Sequence, residues 1–169
     1  AVMPLIKESD VAFINQETPL GGTSLGLSSY PAFNSPQELG VFLHKMGFNL
    51  ISEANNHVLD KGSKGLKNTL EFWQKYQDVA VAGAYLNKTA AESVHVLEKK
   101  GVKIAFLAYT YGTNGLSLPQ SSKMVVATID KTQMAADVAR AKKQADLVIV
   151  SMHWGQEYQT TANATQKEL

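Results

Sequence analysis

Cysteine is absent from the chain. That excludes disulfides, thiolate metal sites and a cysteine nucleophile, and leaves the compartment open. Charge is sparse: 18% of residues are charged, and 16 basic against 15 acidic side chains leave a net +1. No Lys/Arg cluster exceeds two in a row, so nothing points to nucleic acid or an anionic membrane surface. No apolar run approaches the roughly 18 residues of a membrane span, and no secretory leader is visible. Several catalytic signatures are missing too. There is no G-x-S-x-G elbow for a serine hydrolase. Gly112 to Gly115 is followed by no Gly-Lys-Ser/Thr that would make a phosphate loop. His153-Trp154-Gly155-Gln156-Glu157 is not the zincin H-E-x-x-H pattern, and the carboxylates are too scattered for a glycosidase pair. Neither an internal repeat nor a linker divides the chain.

What is present is one domain, residues 1–169, with 44% apolar residues to form its core. The chain opens on Ala1-Val2-Met3 and reaches strand-like sequence at once, as a trimmed start would. Short apolar runs at Val11–Ile14, 48–53, Val79–Ala82 and 125–129 read as strands. Residues 92–99 and 102–109 read as a hairpin through Lys99-Lys100-Gly101. Asp146–Val150 reads as the clearest buried strand. Helices are predicted after Ser35-Pro36-Gln37-Glu38, a capping box with Leu39, Phe42, Leu43 and Met46 inward and Gly47 as stop. Two more are predicted from about Ser63 to Tyr76 and from the Asp130 cap to about Lys143. Strands that alternate with helices imply an α/β fold with a partly parallel sheet.

The chemistry-bearing residues fall where such a fold ends its strands. Glu17 follows the first strand. Ala54-Asn55-Asn56-His57-Val58-Leu59-Asp60-Lys61-Gly62 follows the second, and His153 follows the last. In open α/β sheets ligands bind at the carboxyl ends of strands. A carboxylate, an amide oxygen and imidazoles suit Mn, Fe or Zn better than softer metals. The long loop 20–35 carries Tyr30 and Phe33, and Tyr109 to Gly115 is a second candidate wall. A turn rich in Asn and Gly is the plainer account of residues 54–62.

In order along the chain stand Asn15-Gln16-Glu17-Thr18-Pro19, then Ala54-Asn55-Asn56-His57 with Asp60 and Gly62, then Gly83-Ala84, then His153-Trp154-Gly155-Gln156-Glu157-Tyr158. This set resembles the bacterial capsule synthesis family CapA, called PgsA in poly-γ-glutamate producers. That family is related to the calcineurin-like metallophosphoesterases. The resemblance implies an α/β/β/α sandwich with a divalent metal site between its sheets. It implies Glu17, Asn56 and His153 as metal ligands, His57 as the acid that protonates the leaving group, and Asp60 as the group orienting it. Glu157 and Tyr158 match the pattern without an assigned role. Two motifs of the family, an early Gly-Asp and a late His-Pro-His, have no counterpart here, so the expectation is a fragment incomplete at both ends.

The function the resemblance implies is capsule or poly-γ-glutamate biosynthesis and export at the bacterial cell surface. The protein would be anchored outside the cytoplasmic membrane through a segment absent here, working with other membrane subunits or with a second copy of itself. An active metal-dependent phosphoesterase is the first alternative. A scaffold that binds an anionic polymer through Tyr30, Phe33, Tyr109, Trp154, Glu157 and Tyr158 is the second.

Overall fold

The computed structural model describes residues 2–169. Along the chain run α1 (Met3–Glu8), β1 (Phe13–Asn15), α2 (Gln37–Met46), β2 (Leu50–Ser52), α3 (Gly62–Trp73), β3 (Ala80–Ala82), β4 (Ala84–Tyr85) and α4 (Lys88–Glu92). There follow β5 (His95–Lys99), β6 (Val102–Thr110), β7 (Val125–Val126), α5 (Lys131–Ala141), β8 (Leu147–His153) and α6 (Ala164–Glu168). One sheet is all parallel, in the order β1-β2-β3. The other has the order β5-β6-β8, with β5 antiparallel and β8 parallel to β6. A short antiparallel pair, β4 with β7, lies beside them.

The side chains sort into layers because successive strand residues face opposite ways. Leu50, Ala54, Ala80 and Ala82 of the first sheet meet Leu97, Phe106 and Ala108 of the second, so the two sheets pack face to face. On the outer face of the first sheet, Ile51 joins Leu43 of α2 and Phe72 and Trp73 of α3. On the outer face of the second, Ala105, Leu107 and Tyr109 pack with Met134, Val138 and Ala141 of α5. The result is helix, sheet, sheet, helix.

Local sequence explains most elements. Asp130 caps α5 by accepting from Gln133 N–H at 2.8 Å. Gly47 ends α2 in the left-handed conformation, with φ of 106°. Gly83 is required for a different reason. Its φ is 99°, and a Cβ there would stand 2.6 Å from the backbone nitrogen of Ala54, so the ends of β2 and β3 can approach only around glycine.

Four expectations give way. The chain opens on the helix α1, with Pro4 in its first turn, rather than on strand-like sequence. The capping box at Ser35 does not form: the N-cap of α2 is Pro36, and Ser35 Oγ bonds Thr18 Oγ1 at 2.8 Å instead. Phe42 points outward and is exposed, while Gly40, Leu43 and Met46 form the buried stripe. The strand at 147–153 is not the most buried. It lies at a sheet edge, with Leu147 49% and Val150 37% exposed. An apolar run does not distinguish a covered strand from an edge.

One buried acid joins the first sheet to its helix. Glu53, 1% exposed, accepts from Trp73 Nε1 at 2.8 Å. Burial pushes its carboxyl up from 4.5 to about 8, against the smaller lowering effect of the Trp73 bond. The folded state therefore holds a proton that the unfolded state releases. This contribution to stability is full below about pH 4.5 and is lost as pH rises to about 8. Denaturant titrations across that range are expected to show a declining stability for the native chain and a flatter profile for Glu53→Gln. Equal slopes would place the proton elsewhere.

Candidate functional site

The carboxyl ends of β1, β2 and β8 come together on one rim. Asn55 builds the loop that leaves β2. It is fully buried, donates from Nδ2 to Gln16 O at 3.0 Å, and accepts from His57 N–H at 3.0 Å. That single amide ties the end of β1 to the end of β2 and turns the backbone so that Asn56 and His57 stand at the rim.

His57 and Asp60 form a dyad. His57 Nδ1 donates to Asp60 Oδ2 at 2.8 Å, and the Asp60 side chain is 3% exposed. The same oxygen accepts from Phe33 N–H at 2.7 Å. The Phe33 ring meets the His57 ring edge-on, with centroids 4.6 Å apart. Loop 20–35 thus folds onto the dyad. Its path is set by Asn34, a buried residue that donates to Gly22 O and Gly26 O at 3.0 and 2.9 Å. Tyr30 stands beyond Phe33, 78% exposed, with ring centroids 6.2 Å apart.

The second sheet supplies His153. Its Nε2 donates to Asn56 Oδ1 at 2.9 Å, so one hydrogen bond spans the two sheets. Burial holds the His153 imidazole below the usual histidine value. Glu17 nearby acts against this, and the neighbouring His57 adds to it. That direction favours the neutral ring, whose one lone pair lies on Nδ1 while Nε2 donates to Asn56. Glu17 is oriented by Asn15, whose Nδ2 donates to Glu17 Oε2 at 3.1 Å.

The rim fits a divalent cation in kind. It offers a carboxylate in Glu17, an amide oxygen in Asn56 and an imidazole in His153, the last two free to ligate together once the hydrogen bond between them is released. Beside Glu17, the buried Asn15 Oδ1 has no hydrogen-bond partner among the described residues. Mixed oxygen and nitrogen donors of this type suit Mn, Fe or Zn.

Of the residues singled out from sequence, Asn56 with His153 and His57 with Asp60 are in direct contact, and Glu17 is their electrostatic neighbour. Tyr109 lies apart from these contacts. It is 2% exposed, and its hydroxyl donates to the buried Asp137 Oδ2 at 2.8 Å, so its side chain is turned toward α5. Burial and the Asp137 carboxylate raise its phenol far above the usual value. Trp154 is partly exposed, and Glu157 and Tyr158 are exposed in the turn after β8. Sequence reasoning gave no individual role to Asn55 or Asn15, and it marked the loop after β6 as a candidate wall without singling out two of its residues. Tyr111 lies parallel to the His153 ring, 6.0 Å away at 12°, and Asn114 Oδ1 accepts from Asn56 Nδ2 at 3.2 Å.

These features define an α/β sandwich protein with a polar, imidazole-bearing site where parallel strands end. The chain belongs to the family described as bacterial capsule synthesis protein PGA_cap, which matches residues 1–169. It is 34% identical to the PGA biosynthesis protein CapA of Bacillus subtilis (strain 168) over 128 residues, 75% of this chain and 33% of that protein. It is 26% identical to the capsule biosynthesis protein CapA of Bacillus anthracis over 182 aligned residues, 99% of this chain and 43% of that protein. An uncharacterized protein of Sinorhizobium fredii, y4sH, is 29% identical over 63% of the chain and 24% of its own length. The chain thus spans between a third and a half of the length of the two Bacillus relatives. No helix among the described residues is long and apolar enough to cross a membrane.

Asp60 satisfies two donors at once, so its loss strands both. Asp60→Ala is expected to lower stability by about 1–3 kcal/mol and to speed hydrogen exchange at the Phe33 amide. Urea titration with exchange measured by NMR checks both. An unchanged Phe33 amide would mean that loop 20–35 is held by other contacts.

Proposed function

We propose that these residues carry the functional centre of a capsular polymer biosynthesis protein, and that this centre is of the metal-dependent phosphoesterase type. The observation that carries the reading is the pairing on one rim of His57 with Asp60 and of Asn56 with His153. The names of the two Bacillus relatives support the biosynthetic context.

Glu17, Asn56 and His153 would hold a Mn, Fe or Zn ion, which when bound supplies charge neutralisation at a phosphoryl oxygen. The other steps belong to the chain. Asp60 engages His57 Nδ1, which leaves Nε2 as the atom that meets the leaving oxygen and gives it a proton. Phe33 covers one edge of that imidazole and keeps water from it. Asn15 holds the Glu17 carboxylate in place. In this reading the intact protein works outside the cytoplasmic membrane, anchored by a segment outside these residues. Its partners are other membrane subunits, or a second copy, and an anionic polymer. A non-catalytic polymer scaffold is the second reading, favoured by the exposure of Tyr30 and of Tyr158, at 78% and 98%.

The test uses the intact protein, assayed for bound metal and for hydrolysis of generic phosphodiesters with Mn or Zn. His57→Ala is expected to lower kcat by about 10²- to 10⁴-fold while bound metal stays unchanged. Polymer export that persists with no bound metal and no hydrolysis would overturn the phosphoesterase reading in favour of the scaffold.

A further inference from the structure

Exposed aromatic rings flank the rim, one beside each sheet. On the first sheet's side stands Tyr30 in loop 20–35, 78% exposed. Its ring meets Phe33, which in turn meets His57, at centroid distances of 6.2 and 4.6 Å. On the second sheet's side stands Tyr111, 57% exposed and parallel to the His153 ring. The backbone under each is fixed. Ser28 and Asn34 exchange backbone hydrogen bonds of 3.2 and 2.9 Å across the tip that carries Tyr30, and Ser28 Oγ donates to Ala32 O at 2.6 Å. Tyr111 N–H donates to His153 O at 2.9 Å. A single exposed tyrosine needs no explanation. Two on held backbone, joined through His57, Asn56 and His153, make preformed flat walls to one site.

The polar groups beside these rings are of one kind. Among the described residues no lysine or arginine bonds to Glu17, Asn56, His57, Asp60 or His153. Lys61, next in sequence to Asp60, lays its Cβ against Gly65 at the start of α3. The rim offers amides and a carboxylate instead: Asn56, the exposed Asn114 and Glu17. Such groups bond hydroxyls, which donate and accept alike, and an amide serves a hydroxyl through either end. A dense polyanion needs an array of cations. Poly-γ-glutamate, the polymer that the family resemblance implies, is such a chain. It is also linked by amides and carries no phosphate, so a phosphoesterase centre has no bond in it to cleave.

Flat aromatic walls with hydroxyl-binding side chains fit a sugar. Its C–H faces pack on aromatic rings, and its hydroxyls bond amides and carboxylates. We infer that the rim takes a sugar phosphodiester, and that the sugar forming the leaving alcohol lies against Tyr30. The inference rests on the phosphoesterase reading, which puts the leaving oxygen at His57; Tyr30 is the exposed ring on that side. Hydrolysis joins the oxygen of water to phosphorus and breaks the bond from phosphorus to the sugar oxygen. The sugar departs as a free alcohol, and a phosphomonoester remains.

The test uses the intact protein and two readouts. With Zn2+ present, hydrolysis of glucosyl methyl phosphate, dimethyl phosphate and the methyl phosphate ester of thymidine is followed by 31P NMR. The glucosyl ester is expected to show the lowest KM, about 10-fold below that of dimethyl phosphate. Tyr30→Ala, with an unchanged thermal transition, is expected to erase that preference, and Tyr30→Phe to keep it. Binding is read separately in chelator by saturation-transfer NMR. The glucosyl protons are expected to receive saturation from the native protein and from Tyr30→Phe, and to lose most of it with Tyr30→Ala. Oligo-γ-glutamate is expected to leave the native signal in place.

Equal KM values for the glucosyl and dimethyl esters overturn the sugar assignment, as does a preference that survives Tyr30→Ala, a lower KM for the thymidine ester, or displacement of the glucosyl ester by oligo-γ-glutamate. If no ester is hydrolysed while the Tyr30-dependent saturation persists, the phosphoesterase reading falls and the sugar site stands. If esters are hydrolysed with no dependence on the sugar or on Tyr30, the sugar site falls alone. Neither hydrolysis nor saturation overturns both.

Discussion

The rim depends first on the buried side chain of Asn55. It is the bond between two strand ends that no backbone ladder supplies. β1 and β2 pair in parallel only from Phe13–Leu50 to Asn15–Ser52. Beyond them the two backbones diverge into separate loops, with Gln16 N–H on Ser52 O as the last rung. Asn55 then carries the connection onward through its amide, which accepts on one side and donates on the other. A buried amide that satisfies two backbone groups is hard to replace, because any apolar substitute leaves both unpaired at about 1–3 kcal/mol each. His57 takes its backbone direction from that bond, and Asp60 and Phe33 take theirs from His57.

The same logic explains how far the site could be read from sequence. Glu17, Asn56, His57 and His153 were legible because each follows an apolar run, and strand ends are where α/β folds expose polar groups. Tyr109 follows the same rule and stands elsewhere. It lies within β6, the central strand of its sheet, and alternation turns it toward α5 and Asp137. Asn114 and Tyr111 lay in a stretch marked as a wall, yet nothing local says that they reach Asn56 and His153. Their partners are 58 and 42 residues away in the chain. The Asn-Gly pair announces a turn; only the packing of two sheets decides what the turn touches.

The fold was legible to a similar depth. Strand and helix positions follow from runs, spacing and caps such as Asp130. The layer assignment does not, since β8 and β2 carry comparable apolar runs but only β2 lies between neighbours. Ser35 shows the opposite error. Its capping signature is real as a pattern, but Thr18 offers its hydroxyl a partner first, and Pro36 starts the helix without it.

The inter-sheet core explains why a single hydrogen bond can join residues 97 positions apart. Away from the rim the inter-sheet face carries Leu50, Ala80, Leu97 and Phe106. Toward the rim the same faces carry Ala54, Ala82 and Ala108, and Ser52 lies on the same side by alternation. Small side chains occupy the inter-sheet face where the strands end, and Gly83 lets the backbone of β3 pass against Ala54. Asn56 reaches His153 where these small residues line the facing sheets. A larger residue at Ala54, Ala82 or Ala108 would push the sheets apart at the point where a bond of 2.9 Å leaves no slack. The site is thus specified as much by the alanines beneath it as by the polar groups on it.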